Sequence, residues 1–129
     1  MLKHLTTSAV LAIHEKVIEA NGSGSCLWHK ALLESAVAAP QATFGGEPVI
    51  ADPVETAAAY LFYLRKNHPF VDGNKRTALA SCLVFLNRNE LLEVSTLDVD
   101  KWEAFVLEVA ASKMDRGQVT IVLRELLKS

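Results

Sequence analysis

Between Asn74 and Leu86 nearly every face of a helix would be apolar: Ala78, Leu79, Ala80, Cys82, Leu83, Val84, Phe85 and Leu86 leave no stripe for water. A helix of that kind has to be enclosed. The apolar run is interrupted by Ser81 and is far too short to span a bilayer, so the enclosing surface must be protein. A helical bundle around this segment is the architecture that the sequence demands.

The rest of the chain supplies the enclosing helices. Thr6 or Thr7 can cap a first helix whose Val10, Ile13, His14, Val17 and Ile18 share one stripe and which stops near Asn21-Gly22. Gly22 to Ser25 reads as a connector. Ala31 to Ala39 predicts a second helix, with Leu32, Leu33, Ala36 and Val37 at helical spacing and Pro40 ending it. Asp52 before Pro53, with Glu55 in the capping-box position, marks the start of a third helix that runs to about Asn67, ahead of Pro69. Asp98 or Asp100 can cap a fifth helix carrying Trp102, Phe105, Val106 and Val109; Val119 to Leu127 gives a last amphipathic one. Gln41 to Ile50 differs, because Phe44, Val49 and Ile50 are strand formers and Gly45-Gly46 suits a tight hairpin turn. The expectation is an all-α bundle of about six helices with one short, exposed β flap.

Composition narrows the function. A chain of 129 residues, half apolar and 22% charged, should form a single domain over residues 1–129. A net charge of −2 and a pI near 6.1 create no field that draws in nucleic acid, so no direct nucleic-acid binding is expected. Met1 to Leu5 lacks a basic segment leading into an apolar stretch, and a cytoplasmic protein without membrane association is expected. Cys26 and Cys82 match no metal-ligand spacing and read as free thiols.

The chemistry concentrates in His68 to Thr77, HPFVDGNKRT, at the junction of the third and fourth helices. The first N–H groups of a helix lack internal partners and carry partial positive charge, so the turn from Gly73 to Arg76 is a ready anion site. Arg76 can grip phosphate oxygens in a fork and Lys75 adds a mobile point charge; together they suit a polyphosphate, and a nucleotide is the natural ligand. A carboxylate at Asp72 is badly placed against phosphates unless a cation such as Mg²⁺ stands between, which gives it metal duty. His68 can accept a proton near neutral pH and so activate a hydroxyl. Pro69 restricts the loop and Phe70 anchors it. Asp72 could also cap the central helix, and that role is compatible with metal binding. His14 falls on the apolar stripe of the first helix, where a satisfied core histidine is the simpler reading.

This motif resembles that of the Fic/Doc family, which reads His, any, Phe, any, acid, Gly or Ala, Asn, Gly or Lys, Arg. Here His68, Phe70, Asp72, Gly73, Asn74, Lys75 and Arg76 fill every position. The resemblance extends to Ile13-His14, to the stretch from Leu32 to Gly46 and to the helix before the motif, as far as about Asn89. It implies an all-α Fic fold with a β flap, His68 as general base, Asp72 as Mg²⁺ ligand, and Gly73, Asn74, Lys75 and Arg76 around the phosphates of ATP. It also implies that the flap residues Thr43, Phe44, Gly45 and Gly46 bind the protein target. Nucleotidyl-transferring members carry Gly where this chain has Lys75 and a second Arg where it has Leu79; Doc-type toxins share both departures. The resemblance to that branch implies a protein kinase that passes the γ-phosphoryl of ATP to a threonine, the family's target being elongation factor Tu, so that translation stops. A Phd-like antitoxin is the implied partner. The family's internal inhibitory pattern is not matched, since its nearest counterpart, Thr43 to Glu47, continues with Pro48, so restraint in trans is expected. Two other readings stand beside this one: adenylyl transfer by the same residues, and a non-catalytic module that binds the antitoxin.

Overall fold

The computed structural model describes residues 2–21, 29–93, 98, 100–102, 104, 105, 108 and 114–128. Helix α1 spans Thr7–Asn21 and α2 Lys30–Ala38, the latter continuing into a 3₁₀ turn at Ala39–Gln41. Strands β1 (Thr43–Phe44) and β2 (Glu47–Pro48) pair antiparallel, and α3 (Pro53–Asn67) and α4 (Asn74–Arg88) follow. Residues 100–102, 104, 105 and 108 are helical, and the last helix, α5, covers Arg116–Lys128. The described residues thus form an all-α fold with one two-stranded hairpin, and none of their helices is long and apolar enough to cross a membrane. The expected Gly22–Ser25 connector, Cys26, Val106 and Val109 lie outside the described residues.

Helices α3 and α4 form the central pair. The run Ala57-Ala58-Ala59 in α3 is fully buried, and side chains this small let neighbouring backbones approach closely. From α4, Ala78, Cys82, Phe85 and Leu86 are buried, while Leu79, Leu83 and Val84 are half-buried against the same core. That is the enclosure which the all-round apolar pattern required. Burying the Phe85 ring alone stabilises the fold by roughly 2–3 kcal/mol. Tyr60 of α3 packs on Phe85 with ring centroids 5.2 Å apart, and its hydroxyl accepts from the Leu5 N–H at 3.1 Å and meets Nδ1 of His4 at 2.9 Å. Burial pushes the Tyr60 phenol up to about 12 and lowers the pKa of His4. Burial likewise pushes the Cys82 thiol up to about 12, so this free cysteine is inert, as a structural thiol should be.

Local chemistry sets the helix ends. Thr6 accepts from the Ala9 N–H at 3.0 Å and caps α1; Asp52 accepts from the Val54 N–H at 3.0 Å and caps α3. The Glu55 carboxylate, expected in a capping box with Asp52, lies instead 3.8 Å from the Arg116 guanidinium of α5. Arg124 of α5 pairs with the second oxygen of Asp52, so two ion pairs fasten α5 to the start of α3. Helix α5 begins earlier than Val119 because Asp115 and Gln118 cap it reciprocally: the Gln118 N–H donates to Asp115 at 2.8 Å and the Asp115 N–H to Gln118 at 2.9 Å. Pro40 does not stop the chain from coiling; it sits in the first turn of the 3₁₀ segment, where its missing N–H is not needed.

The cap and the ion pair at Asp52 can be separated. Asp52→Ala removes both and should cost about 1–2 kcal/mol, whereas Asp52→Asn keeps the cap and should cost well under about 1 kcal/mol, the pair being partly exposed. Urea unfolding midpoints of the two variants check this; equal losses would show that the cap contributes little.

Candidate active site

Helix α3 ends where His68 turns left-handed, at φ 51° and ψ 54°. Such a C-cap is ordinarily glycine, and a residue before proline is normally pushed to extended backbone, so a histidine ahead of Pro69 is strained here. Strain of this kind persists only where the surroundings over-determine it. They do. The Asn67 side chain donates to the Leu32 carbonyl at 3.0 Å, and the His29 N–H donates to the Pro69 carbonyl at 2.9 Å. His29 is also the N-cap of α2, accepting from the Leu32 N–H at 3.3 Å, so the start of α2 buttresses the loop.

Beyond Pro69 the turn is pinned from inside. Phe70 is buried, and the buried Asn74 amide holds its backbone at both ends: the Phe70 N–H donates to Oδ1 at 3.0 Å, and Nδ2 donates to the Phe70 carbonyl at 2.8 Å. The Asn74 side chain, expected among the phosphate ligands, is therefore committed to shaping the loop. What Asn74 offers an anion is its N–H in the first turn of α4. Gly73 is left-handed at φ 79°, a backbone that favours glycine, and an added Cβ would lie 2.8 Å from Cδ1 of Ile18, so the α1 side chain would have to shift to admit one. The Gly73 N–H donates to the Asp72 carboxylate at 2.8 Å.

These constraints bring together what the sequence singled out. His68, Val71, Asp72, Gly73, Asn74, Lys75 and Arg76 line one cavity of about 430 Å³, joined by Ile18 from α1. The side chains of His68, Asp72, Lys75 and Arg76 are exposed, while Pro69 and Phe70 are buried between them and the core. The arrangement can seat an anion against the α4 N-terminus with two cations, a carboxylate and an imidazole around it. Among the described residues no three His, Cys, Asp or Glu side chains gather into a metal cage. A single carboxylate beside an anion site fits Mg²⁺ that arrives already bound to nucleotide phosphates.

The flap is placed differently. Gly45 and Gly46 take φ values of 60° and 83°, the hairpin turn that the sequence predicts, but Thr43, Phe44, Gly45 and Gly46 do not line the cavity. Phe44 is 85% exposed. For one residue the sequence gives the burial but not the partner. His14 is only 2% exposed, as a core histidine should be, yet its partner belongs to the motif: Nε2 lies 2.8 Å from the Asp72 carbonyl, and the ring stacks on Phe70 at 3.6 Å and 5°. A polar residue on the apolar stripe was the signal, but its partner lies 58 positions away.

The all-α bundle, its hairpin and the filled motif at the α3–α4 turn define a Fic-fold protein. The profile of the Fic/DOC family matches residues 4–86. The chain is 41% identical over 92 residues to a protein named Toxin Doc from Mycolicibacterium smegmatis, covering 71% of each chain. It is 30% identical over 128 residues to one named Protein kinase doc from Escherichia phage P1, covering 99% of this chain and 98% of that one. The chain belongs to the Fic/DOC family.

The left-handed backbone at His68 has a measurable consequence. His68→Gly should be more stable than His68→Ala by about 1 kcal/mol, because only glycine relieves the positive φ. Thermal or urea unfolding decides it; an alanine variant as stable as the glycine variant would contradict that backbone.

Proposed function

We propose that this protein is a Doc-type toxin kinase that transfers the γ-phosphoryl group of ATP to a threonine hydroxyl of a protein target. The observation that carries the reading is that Lys75 and Arg76, at the start of α4, line the same cavity as His68 and Asp72. A cation in the first turn, such as Lys75, opposes the helix dipole and costs a few tenths of a kcal/mol unless an anion joins it. A polyphosphate at that turn converts the misfit into attraction.

In the proposed reaction His68 takes the proton from the target hydroxyl as its oxygen attacks the γ-phosphorus in line, and ADP leaves. Lys75, Arg76 and the first N–H groups of α4 oppose the negative charge on the phosphate oxygens. Asp72 would hold Mg²⁺, which would supply positive charge to offset the negative charge of the phosphates. Two features favour phosphoryl over adenylyl transfer. Lys75 replaces a glycine nest by a charged side chain, and Leu79 is half-buried against the core, so it offers no second cation one turn along. Both suit ATP bound with its γ-phosphoryl toward His68. The name Protein kinase doc carried by the phage relative supports the same choice.

The target proposed is a threonine of elongation factor Tu, and growth arrest would follow from blocked translation. The exposed flap can add a strand from the target and bring its hydroxyl toward His68. A Phd-like antitoxin is the proposed restraint.

ATP labelled at either the α or the γ phosphorus, incubated with purified protein and cell extract, tests the reaction. Label from γ should appear on a protein target and fall by about a hundredfold or more in His68→Ala. Label arriving only from α would establish adenylyl transfer instead. Transfer unchanged in His68→Ala would remove the histidine from its assigned role.

A further inference from the structure

His14 and Ile18 stand one helical turn apart on α1 and face the motif turn together. Ile18 closes the cavity wall against Gly73, and the position of a Gly73 Cβ would also lie 3.7 Å from the His14 ring. The two contacts of His14 differ in kind. Its stack on Phe70 fixes the plane of the imidazole, and its bond to the Asp72 carbonyl uses that fixed plane to aim one nitrogen. A carbonyl oxygen can only accept, so Nε2 must carry the proton.

The Asp72 carbonyl and the Gly73 N–H belong to one planar trans peptide and point in opposite directions. His14 grips one side of that plane at 2.8 Å. On the other side the Gly73 N–H holds the Asp72 carboxylate, also at 2.8 Å. The orientation of the peptide, and with it that of the carboxylate and the entry into α4, is thus set from α1.

We propose that His14 is a positioning residue for the nucleotide site: through the Asp72–Gly73 peptide it sets the Asp72 carboxylate for the metal ion that accompanies the polyphosphate and the first N–H groups of α4 for the polyphosphate itself. His14 touches no substrate atom and acts only through the peptide. The inference rests on the proposed function for its ligand, Mg²⁺-ATP, but its geometry stands apart from which phosphorus is transferred.

Two substitutions divide the contacts of His14. His14→Phe keeps an aromatic ring to stack on Phe70 and loses the donor; His14→Gln restores an amide donor without the ring. Mg²⁺-ATP affinity by calorimetry and the rate of γ-label transfer should fall about 10- to 100-fold in His14→Phe. His14→Gln should recover most of that loss, and His14→Phe should unfold within a few degrees of the parent. Wild-type affinity and transfer in His14→Phe, or a glutamine variant as impaired as the phenylalanine one, would overturn the proposal. Nitrogen NMR of the unsubstituted protein gives a decision that needs no variant to fold: the imidazole should be the Nε2–H tautomer, and an Nδ1–H tautomer would refute it. Were no label transferred by the parent itself, the kinase reading would fail while affinity and tautomer still decided the role of His14.

Discussion

The grip of the Asn74 amide on the backbone of Phe70 is the constraint on which the functional turn depends. Each of its hydrogen bonds contributes on the order of 1 kcal/mol net, but leaving these buried groups unpaired would cost more. The pair of bonds therefore acts as a shape constraint more than as a source of stability. It closes the chain into a tight turn between α3 and α4, so that residues 71 to 76 line a cavity while Pro69 and Phe70 are buried behind them. The neighbours secure the same turn from outside: His29 holds Pro69, Asn67 holds Leu32, and His14 holds Asp72.

So many restraints on so short a segment explain how His68 can be kept in a conformation that favours glycine. A turn chosen for stability alone would place Gly or Asn at that cap. The chain keeps an imidazole there and offsets its strain through the surrounding bonds, the arrangement expected where geometry serves chemistry rather than folding. The same trade appears at the start of α4, where Lys75 and Arg76 stand against the helix dipole. Elsewhere the chain follows the ordinary rules: basic Arg65 and Lys66 lie in the last turn of α3, and α4 ends in Arg88.

Much of the fold was legible because it follows local rules. The all-round apolar pattern of α4, the Asp52 cap and the Gly45-Gly46 turn each follow from residues next to one another. What escaped depends on partners distant in sequence. Glu55 has the spacing of a capping box but faces Arg116, and no local pattern announces that α5 returns to the start of α3. His29 caps α2 although histidine is not among the usual caps. The reciprocal Asp115 and Gln118 box was local and readable, yet the apolar stripe drew attention to Val119 instead. At the site the cluster from His68 to Arg76 was visible as a run of chemically complementary types. Its geometry was not: the commitment of Asn74 to Phe70 and the reach of His14 from α1 appear only once the chain is folded.

The central claim is that a polyphosphate binds at the start of α4. Backbone amide NMR during titration with Mg²⁺-ATP tests it most directly, since the first-turn N–H groups would change partners on binding. Saturable shifts that are largest from Gly73 to Thr77 are the expected result. Saturable shifts centred elsewhere, or none at millimolar nucleotide, would contradict it.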